Sequence, residues 1–350
     1  MFPYVLVSDV HCHNWSQFAK VGEDGVNTRL RIILDELKRA AETVLAAGGD
    51  SMRVAGDLFH VRGKIEPSVF NPTYDTFREI TEMGVHVEII PGNHDLEGAN
   101  AERLGNAMQQ LEQIDGVQVA VEPLNDNAVC MLPWIEDLDE LREIAKKFAD
   151  GRDLIIHAPL NGVIKGIPDL GLDPDEVAAW GFKRVFIGHY HNHKQFNGGV
   201  YSVGATTHQT WSDPGTKAGF LMVYEDRVEH IDSEAPKFIN IDKMSELNPH
   251  NIGKVAGNYV RLRFVDAEES DVKAAKVKLE NGNAAGWVDH SSKKRPTIRA
   301  NGASGKNLTV EASVANFAES HLQGHDTLDK SRIAKDALDV LSLARQVGDE

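Results

Sequence analysis

The sequence predicts an α/β protein built in layers, and three observations carry that prediction. Five apolar runs each stop at side chains that bind metal ions well, His, Asp or Asn. Between them lie amphipathic stretches of helical period. Strands alternating with helices of this length form a layered sheet protein.

The first run is Val5-Leu6-Val7-Ser8-Asp9-Val10-His11, followed by a polar, aromatic loop, His13-Asn14-Trp15-Ser16-Gln17-Phe18. Leu30, Ile33, Leu34, Leu37, Ala41, Val44 and Leu45 recur at i, i+3, i+4, i+7, so one helix face is apolar. Asn27 suits its N-cap and Gly48-Gly49 its stop. The second run, Met52-Arg53-Val54-Ala55-Gly56-Asp57, leads into Leu58-Phe59-His60 and a loop reaching Pro67. A second helix is expected over 73–83, with Phe77 and Ile80 on one face and Gly84 closing it. The third run is Val87-Glu88-Ile89-Ile90-Pro91-Gly92-Asn93-His94-Asp95. A helix over 102–114, strands over 117–121 and 128–132, the latter ending in Pro133-Trp134, and a helix over 138–148 come next. Leu154-Ile155-Ile156-His157 precedes a Gly- and Pro-rich loop and a short helix over 174–179. The fifth run, Val185-Phe186-Ile187-Gly188-His189-Tyr190-His191, ends in two histidines that a turn can swing toward one point.

Behind His191 the pattern changes to close-set strands over 199–203, 219–224, 227–231 and 238–241, with Gly204-Ala205-Thr206-Thr207-His208 lining the site between the first two. The core, 1–242, is expected to end there, and 243–257, rich in Asn, Pro, Gly and His, to be the linker. A smaller unit follows: a strand over 259–265, a helix over 268–279, a short strand over 285–288 and a basic loop with Lys293, Lys294, Arg295 and Arg299. Two last helices are expected over 310–321 and 328–347. The second has an apolar stripe of Ile333, Ala337, Leu338, Leu341 and Ala344.

The chain has 350 residues, 41% hydrophobic and 26% charged, the balance of a soluble globular protein. Such a length suits a large core plus an appendage. No apolar stretch approaches the ~20 residues of a membrane span. The start, Met1-Phe2-Pro3-Tyr4, has no basic region and reads as a strand rather than a signal peptide. Two cysteines, Cys12 and Cys130, make no disulfide framework, which fits a cytoplasmic protein. Cys12 lies between His11 and His13, where a small buried residue is expected before a ligand. A net charge of -16 argues against holding nucleic acid by bulk electrostatics. It leaves a nuclease open, because divalent ions supply positive charge where a phosphate sits.

A phosphodiester resists hydrolysis because its charge repels hydroxide and its leaving alkoxide is poor. Two divalent ions about 3.5–4 Å apart answer both problems, and they need a bridging carboxylate, neutral imidazoles and carboxylate or amide oxygens. In their order and spacing, Asp9-x-His11, Gly56-Asp57, Gly92-Asn93-His94-Asp95, His157 and Gly188-His189-x-His191 resemble the motif set of the calcineurin-like metallophosphoesterases.

That resemblance implies a four-layer β-sandwich flanked by helices, with a small α+β capping domain over 258–310 and terminal helices over 311–350. It implies that Asp9, His11 and His191 hold a first ion, that Asn93, His157 and His189 hold a second, and that Asp57 bridges them. His94 becomes the acid for the leaving oxygen, with Asp95 orienting its ring. Asn93 and His60 also contact substrate. Manganese is the implied pair of ions, with iron, zinc or nickel admitted by the same ligands. Gly56-Asp57-Leu58-Phe59-His60 with Pro67-Ser68 is similar to the DNA-repair nucleases of the Mre11 and SbcD type, including phage versions. That likeness implies DNA as substrate, an ATPase of the Rad50 and SbcC type docked on the terminal helices, a homodimer, and a place in the cytoplasm, the host's if phage-encoded. The motifs span about residues 5–225. The chain departs from the pattern at Cys12-His13-Asn14-Trp15, where Leu-Gly is usual, and in a longer 60–67 loop. Both departures flank the site and bear on substrate class more than on reaction type.

The rival enzyme reading is a phosphodiesterase or phosphatase for a small nucleotide or phosphoprotein, and the rival non-enzyme reading is a metal-free scaffold. Trp15 and Phe18 either stack on a nucleobase or pack their loop onto the core. The basic loop either tracks a DNA backbone or is solvated. His13 and His193 are expected to be exposed.

Overall fold

The computed structural model describes residues 3–97, 108–166, 168, 170–292, 317, 329, 331–333 and 335–340. The chain divides into two compact units, 1–294 and 295–350. The basic loop, residues 102–107, and most of the last two helices lie outside the described residues. Of the final helix, 331–333 and 335–340 are helical, and Asp329 Oδ1 accepts the N–H groups of Ser331 and Arg332 at its start.

Strands β1 (Tyr4–Val7), β2 (Ser51–Ala55), β3 (His86–Ile90) and β4 (Val117–Val119) pair in parallel. β5 (Leu124–Asn125), β6 (Val129–Leu132), β7 (Asp153–His157), β8 (Arg184–Gly188), β9 (Lys194–Gln195) and β10 (Val200–Ser202) form a second sheet, in the order β5-β6-β7-β8-β10-β9. β11 (Gly219–Val223) returns antiparallel to β1, and β12 (Val228–Asp232) completes the first sheet. Along β1 the side chains alternate between two interiors: Tyr4 and Leu6 face the second sheet, Val5 and Val7 the helices. Both sheet faces are therefore buried, which explains runs with no polar alternation.

The helices α1 (Thr28–Ala46) and α2 (Pro67–Glu82) cover the first sheet, and α3 (Leu138–Lys147) and α4 (Pro174–Ala178) the second. The result is the four-layer sandwich that the resemblance implied. Asn27 caps α1 through bonds from Arg29 N and Leu30 N. α2 begins six residues before its expected start, because Pro67 sits in the first turn, where its missing N–H costs nothing. The described part of the expected 102–114 helix is a short 3-10 turn, Gln109–Gln113.

One expected core strand belongs elsewhere. β13 (Phe238–Ile241) pairs with β14 (Tyr259–Leu262), which pairs with β15 (Gly286–Asp289), and α5 (Glu269–Asn281) packs on this small sheet. Phe18 stacks on Tyr259 with ring centroids 4.6 Å apart, so the loop after β1 is pinned to the small sheet. No helix among the described residues is long and apolar enough to cross a membrane.

Candidate metal centre

The five motifs follow β1, β2, β3, β7 and β8, and all emerge at the carboxyl ends of parallel strands. The main chain makes sharp turns there. Asp9, His11 and Asp57 have φ of 48°, 49° and 53°, and His189 has 114°. Such conformations cost a non-glycine residue on the order of 1–3 kcal/mol each and need over-determining contacts. Those contacts are present. Asp9 N donates to Gly56 O and His11 N to Asp57 O, so the loops continue the β1–β2 pairing. His189 N donates to both Asp9 carboxylate oxygens at 3.2 and 3.0 Å, and His94 N to Asp57 Oδ1 at 2.8 Å. The loops approach so closely that a Cβ on Gly92 would collide with the Asp57 carboxylate, and one on Gly56 with the His157 ring.

Three groups of donor atoms result, each within 4.8 Å: two that share no residue, Asp9, His11 and His191 first and Asp57, His157 and His189 second, and a third, His11, His60 and His94, that shares His11 with the first. Asn93 Oδ1 joins the second, 3.2 Å from His157 Nε2 and 3.0 Å from His189 Nδ1. Asp57 Oδ2 lies between the first two groups, 3.7 Å from His11 Nε2 and 3.4 Å from His157 Nε2. Asp9, His11, Asp57 and His157 are buried, while His189 and His191 are half-buried. His157 Nδ1 donates to Ala55 O at 2.7 Å, which turns its Nε2 toward Asp57 and ties the two sheets together.

The charge states suit an ion. Burial lowers His11 well below the ordinary histidine range, and burial with the His157 ring nearby lowers His189 to about 4. Both present lone pairs at neutral pH. Burial would raise Asp57, but His157 and His11 hold it well below the usual carboxylate range, as an anion. His157 is driven the other way, because Asp57 outweighs burial and raises it to about 9. A cation held by Asp57 and His157 would take that proton's place. Imidazole nitrogens with carboxylate and amide oxygens are the donor set that first-row divalent ions accept, so the residues fit such ions.

All seven expected ligands converge. His94 meets His11 edge-on at 4.9 Å, and His60 stacks on His94 at 5.6 Å, so both roof the first group. His60 Nδ1 also contacts His11 Nδ1 at 3.3 Å, and burial lowers its pKa to about 4.

Asp95 does not orient His94. Its carboxylate is fully buried and accepts from Leu58 N, Phe59 N and Gly92 N, bracing the β2 and β3 turns. His94 Nδ1 instead lies 2.6 Å from His60 O. His208 leaves the cleft lining too: it is buried, with Phe238 N and Thr216 O on its two ring nitrogens. His13 and His193 are half-buried rather than exposed, packed on Trp15 and His60 and on His230 respectively. Trp15 lies between Arg29 and His60, and Phe18 against Tyr259, so both loop aromatics pack. Cys12 is buried in the core, its thiol pushed up to about 12 by burial, as expected of a packing residue.

Two neighbours went unread in the sequence. Trp134 flanks His157 and His189, with centroids 5.8 and 5.6 Å away, and its place right after β6 was the available signal. Asp213 reaches His191 Nδ1 at 3.3 Å from a loop 22 residues downstream, with no motif to mark it.

A family model described as calcineurin-like phosphoesterase matches residues 2–193. A curated relative, exonuclease subunit 1 of Enterobacteria phage T4, is 26% identical over 203 residues, covering 55% of this chain and 58% of the relative. This chain thus spans little more than half the length of that relative. Among solved structures, a dimetal phosphatase from Danio rerio has a TM-score of 0.40 at 13% identity, over 65% of this chain and 94% of that one. The Pseudomonas putida nuclease MPE has a TM-score of 0.28 at 19% identity, over 65% and 87%. With its strand-end donors converged and more than half its length matched by the family model, this chain belongs to the calcineurin-like phosphoesterases, hydrolases that use divalent metal ions.

Proposed function

We propose that this chain is a two-ion phosphodiesterase that cuts DNA, the nuclease subunit of a repair or recombination complex. The observation that carries the reading is the placement of Asp57 Oδ2 between two groups of donors, roofed by His94 and His60. Asp9, His11 and His191 hold the first ion, and Asn93, His157 and His189 the second. Manganese is the expected ion for this mixed nitrogen and oxygen set. When bound, divalent ions supply Lewis-acid charge to the phosphate and to the attacking water.

The side chains do the rest. His94 donates its Nδ1–H to the His60 carbonyl, so in the doubly protonated ring Nε2 holds the proton that passes to the leaving oxygen, and the ring is left as the neutral Nδ1–H imidazole. His60, with Nδ1 turned to His11, offers Nε2 to a phosphate oxygen. Likeness to a phage exonuclease subunit supports DNA as substrate and a partner subunit beside this chain. An SbcC-like ATPase docked on the terminal helices fits that plan, and the described part of the last helix exposes Ile333 and Val340. Dimerisation through the core and residence in the cytoplasm complete the reading.

The test is manganese-loaded protein on end-labelled linear duplex DNA and, in parallel, on an aryl phosphodiester. Degradation of the DNA is the expected result. Cleavage of the aryl ester alone would replace DNA with a small substrate, and cleavage of neither would overturn the reading.

A further inference from the structure

His191 alone, among the histidines of the first two donor groups, has its outer ring nitrogen against a carboxylate in the described contacts. Its Nε2 faces His11 Nε2 at 3.2 Å, inside the first group, and its Nδ1 lies 3.3 Å from Asp213 Oδ1. By contrast, His157 has a main-chain carbonyl behind it. Asp213 is only 3% exposed. Its other oxygen, Oδ2, accepts the N–H groups of Gln209 and Thr210 at 2.7 Å each, so the loop closes on the carboxylate and aims Oδ1 at the ring. That loop is anchored from three sides. Gln209 Nε2 donates to Asp9 O, Arg29 donates to Gln209 O, and Trp211 Nε1 donates to Gln17 Oε1 beside the Phe238 ring.

We propose that Asp213 is a positioning residue for the first ion, its buried carboxylate holding His191 in the tautomer protonated on Nδ1, with the Nε2 lone pair turned to the Asp9 and His11 side. An imidazole binds a metal through a lone pair, so only one of its neutral tautomers serves here. A carboxylate on the outer nitrogen selects that tautomer and makes the ligand more basic. The proposal rests on the two-ion reading above and extends it to a residue outside the five motifs.

The geometry makes Asp213→Asn an informative change. Gln209 N and Thr210 N both require an acceptor at the Oδ2 position, so the amide oxygen goes there and the NH2 group turns to His191. An NH2 group is a donor. It selects the opposite tautomer, with Nδ1 as acceptor and a proton on Nε2 where the ion belongs.

The experiment is equilibrium binding of manganese to the full chain, without substrate, by calorimetry and electron paramagnetic resonance. Wild type is expected to bind two ions, and Asp213→Asn to bind one unchanged and the other about 10- to 100-fold more weakly. Two ions bound within about twofold of wild type would overturn the proposal, as would equal weakening of both. A second measurement needs no variant: nitrogen-15 spectra of zinc-loaded wild type should show the His191 proton on Nδ1, and a proton on Nε2 would overturn the proposal. Two ions bound without DNA cleavage would refute the nuclease reading and leave this one standing, whereas wild type that takes up no manganese would end both.

Discussion

His94 and His230 show how a ring's surroundings decide its task. His94 is half-buried, and its Nδ1 is fixed on the His60 carbonyl, which leaves Nε2 for the general-acid role proposed above. His94→Ala is expected to lower the hydrolysis rate by about 10²- to 10⁴-fold while both ions stay bound, as rate and manganese titration together will show. Full activity in that variant would remove the assignment. His230 stands on β12, stacked on His193 at 4.4 Å with Nδ1 3.1 Å from Asp232 Oδ1, and its Nε2 is buried without a partner among the described residues. Burial, then the His193 ring, lowers its pKa to about 4. The unfolded chain, at about 6.5, binds this proton first, so the stability tied to a neutral His230 is complete above about pH 6.5 and is lost as pH falls toward 4. Denaturant melts in chelator across that window should show a shallower loss for His230→Phe than for wild type. Equal slopes would contradict the assignment.

The strands show why some of this architecture could be read from residues and some could not. Each motif is contiguous: an apolar run, a turn and one or two ligands lie within nine residues, so strand ends and donors were visible without knowing their neighbours. What depended on distant contacts was hidden. β13 has the composition of a core strand, and only its pairing with β14 places it in the small sheet. Asp95 sits beside His94 in sequence, yet its turn points the carboxylate back at the main chain. Asp213 becomes meaningful only once its loop folds under His191. At the opposite end of the sandwich from the site, Asp153 at the start of β7 accepts from Tyr4 of β1 and from Arg184 of β8, joining the two sheets. Arg184 and Asp153 have side chains 8% and 0% exposed. Asp153→Ala removes the counter-charge from a buried guanidinium and is expected to cost about 3–5 kcal/mol in chemical denaturation. A loss below about 1 kcal/mol would show that the pair is not what holds this end together.

At the scale of the whole molecule, the four layers place parallel strands from two different sheets with their carboxyl ends side by side. The first sheet brings Asp9, His11, Asp57 and Asn93, and the second brings His157, His189 and His191. Neither sheet holds the full set of donors, so the sandwich has to close before the site exists. Any ion bound there stabilises the folded state by mass action, with about 2.7 kcal/mol expected at a hundredfold excess over its dissociation constant. The most direct measurement is the anomalous scattering of a manganese-soaked crystal. Two peaks about 3.5–4 Å apart, on either side of the Asp57 carboxylate, are the predicted result. A single peak, or none at full soaking, would contradict the account.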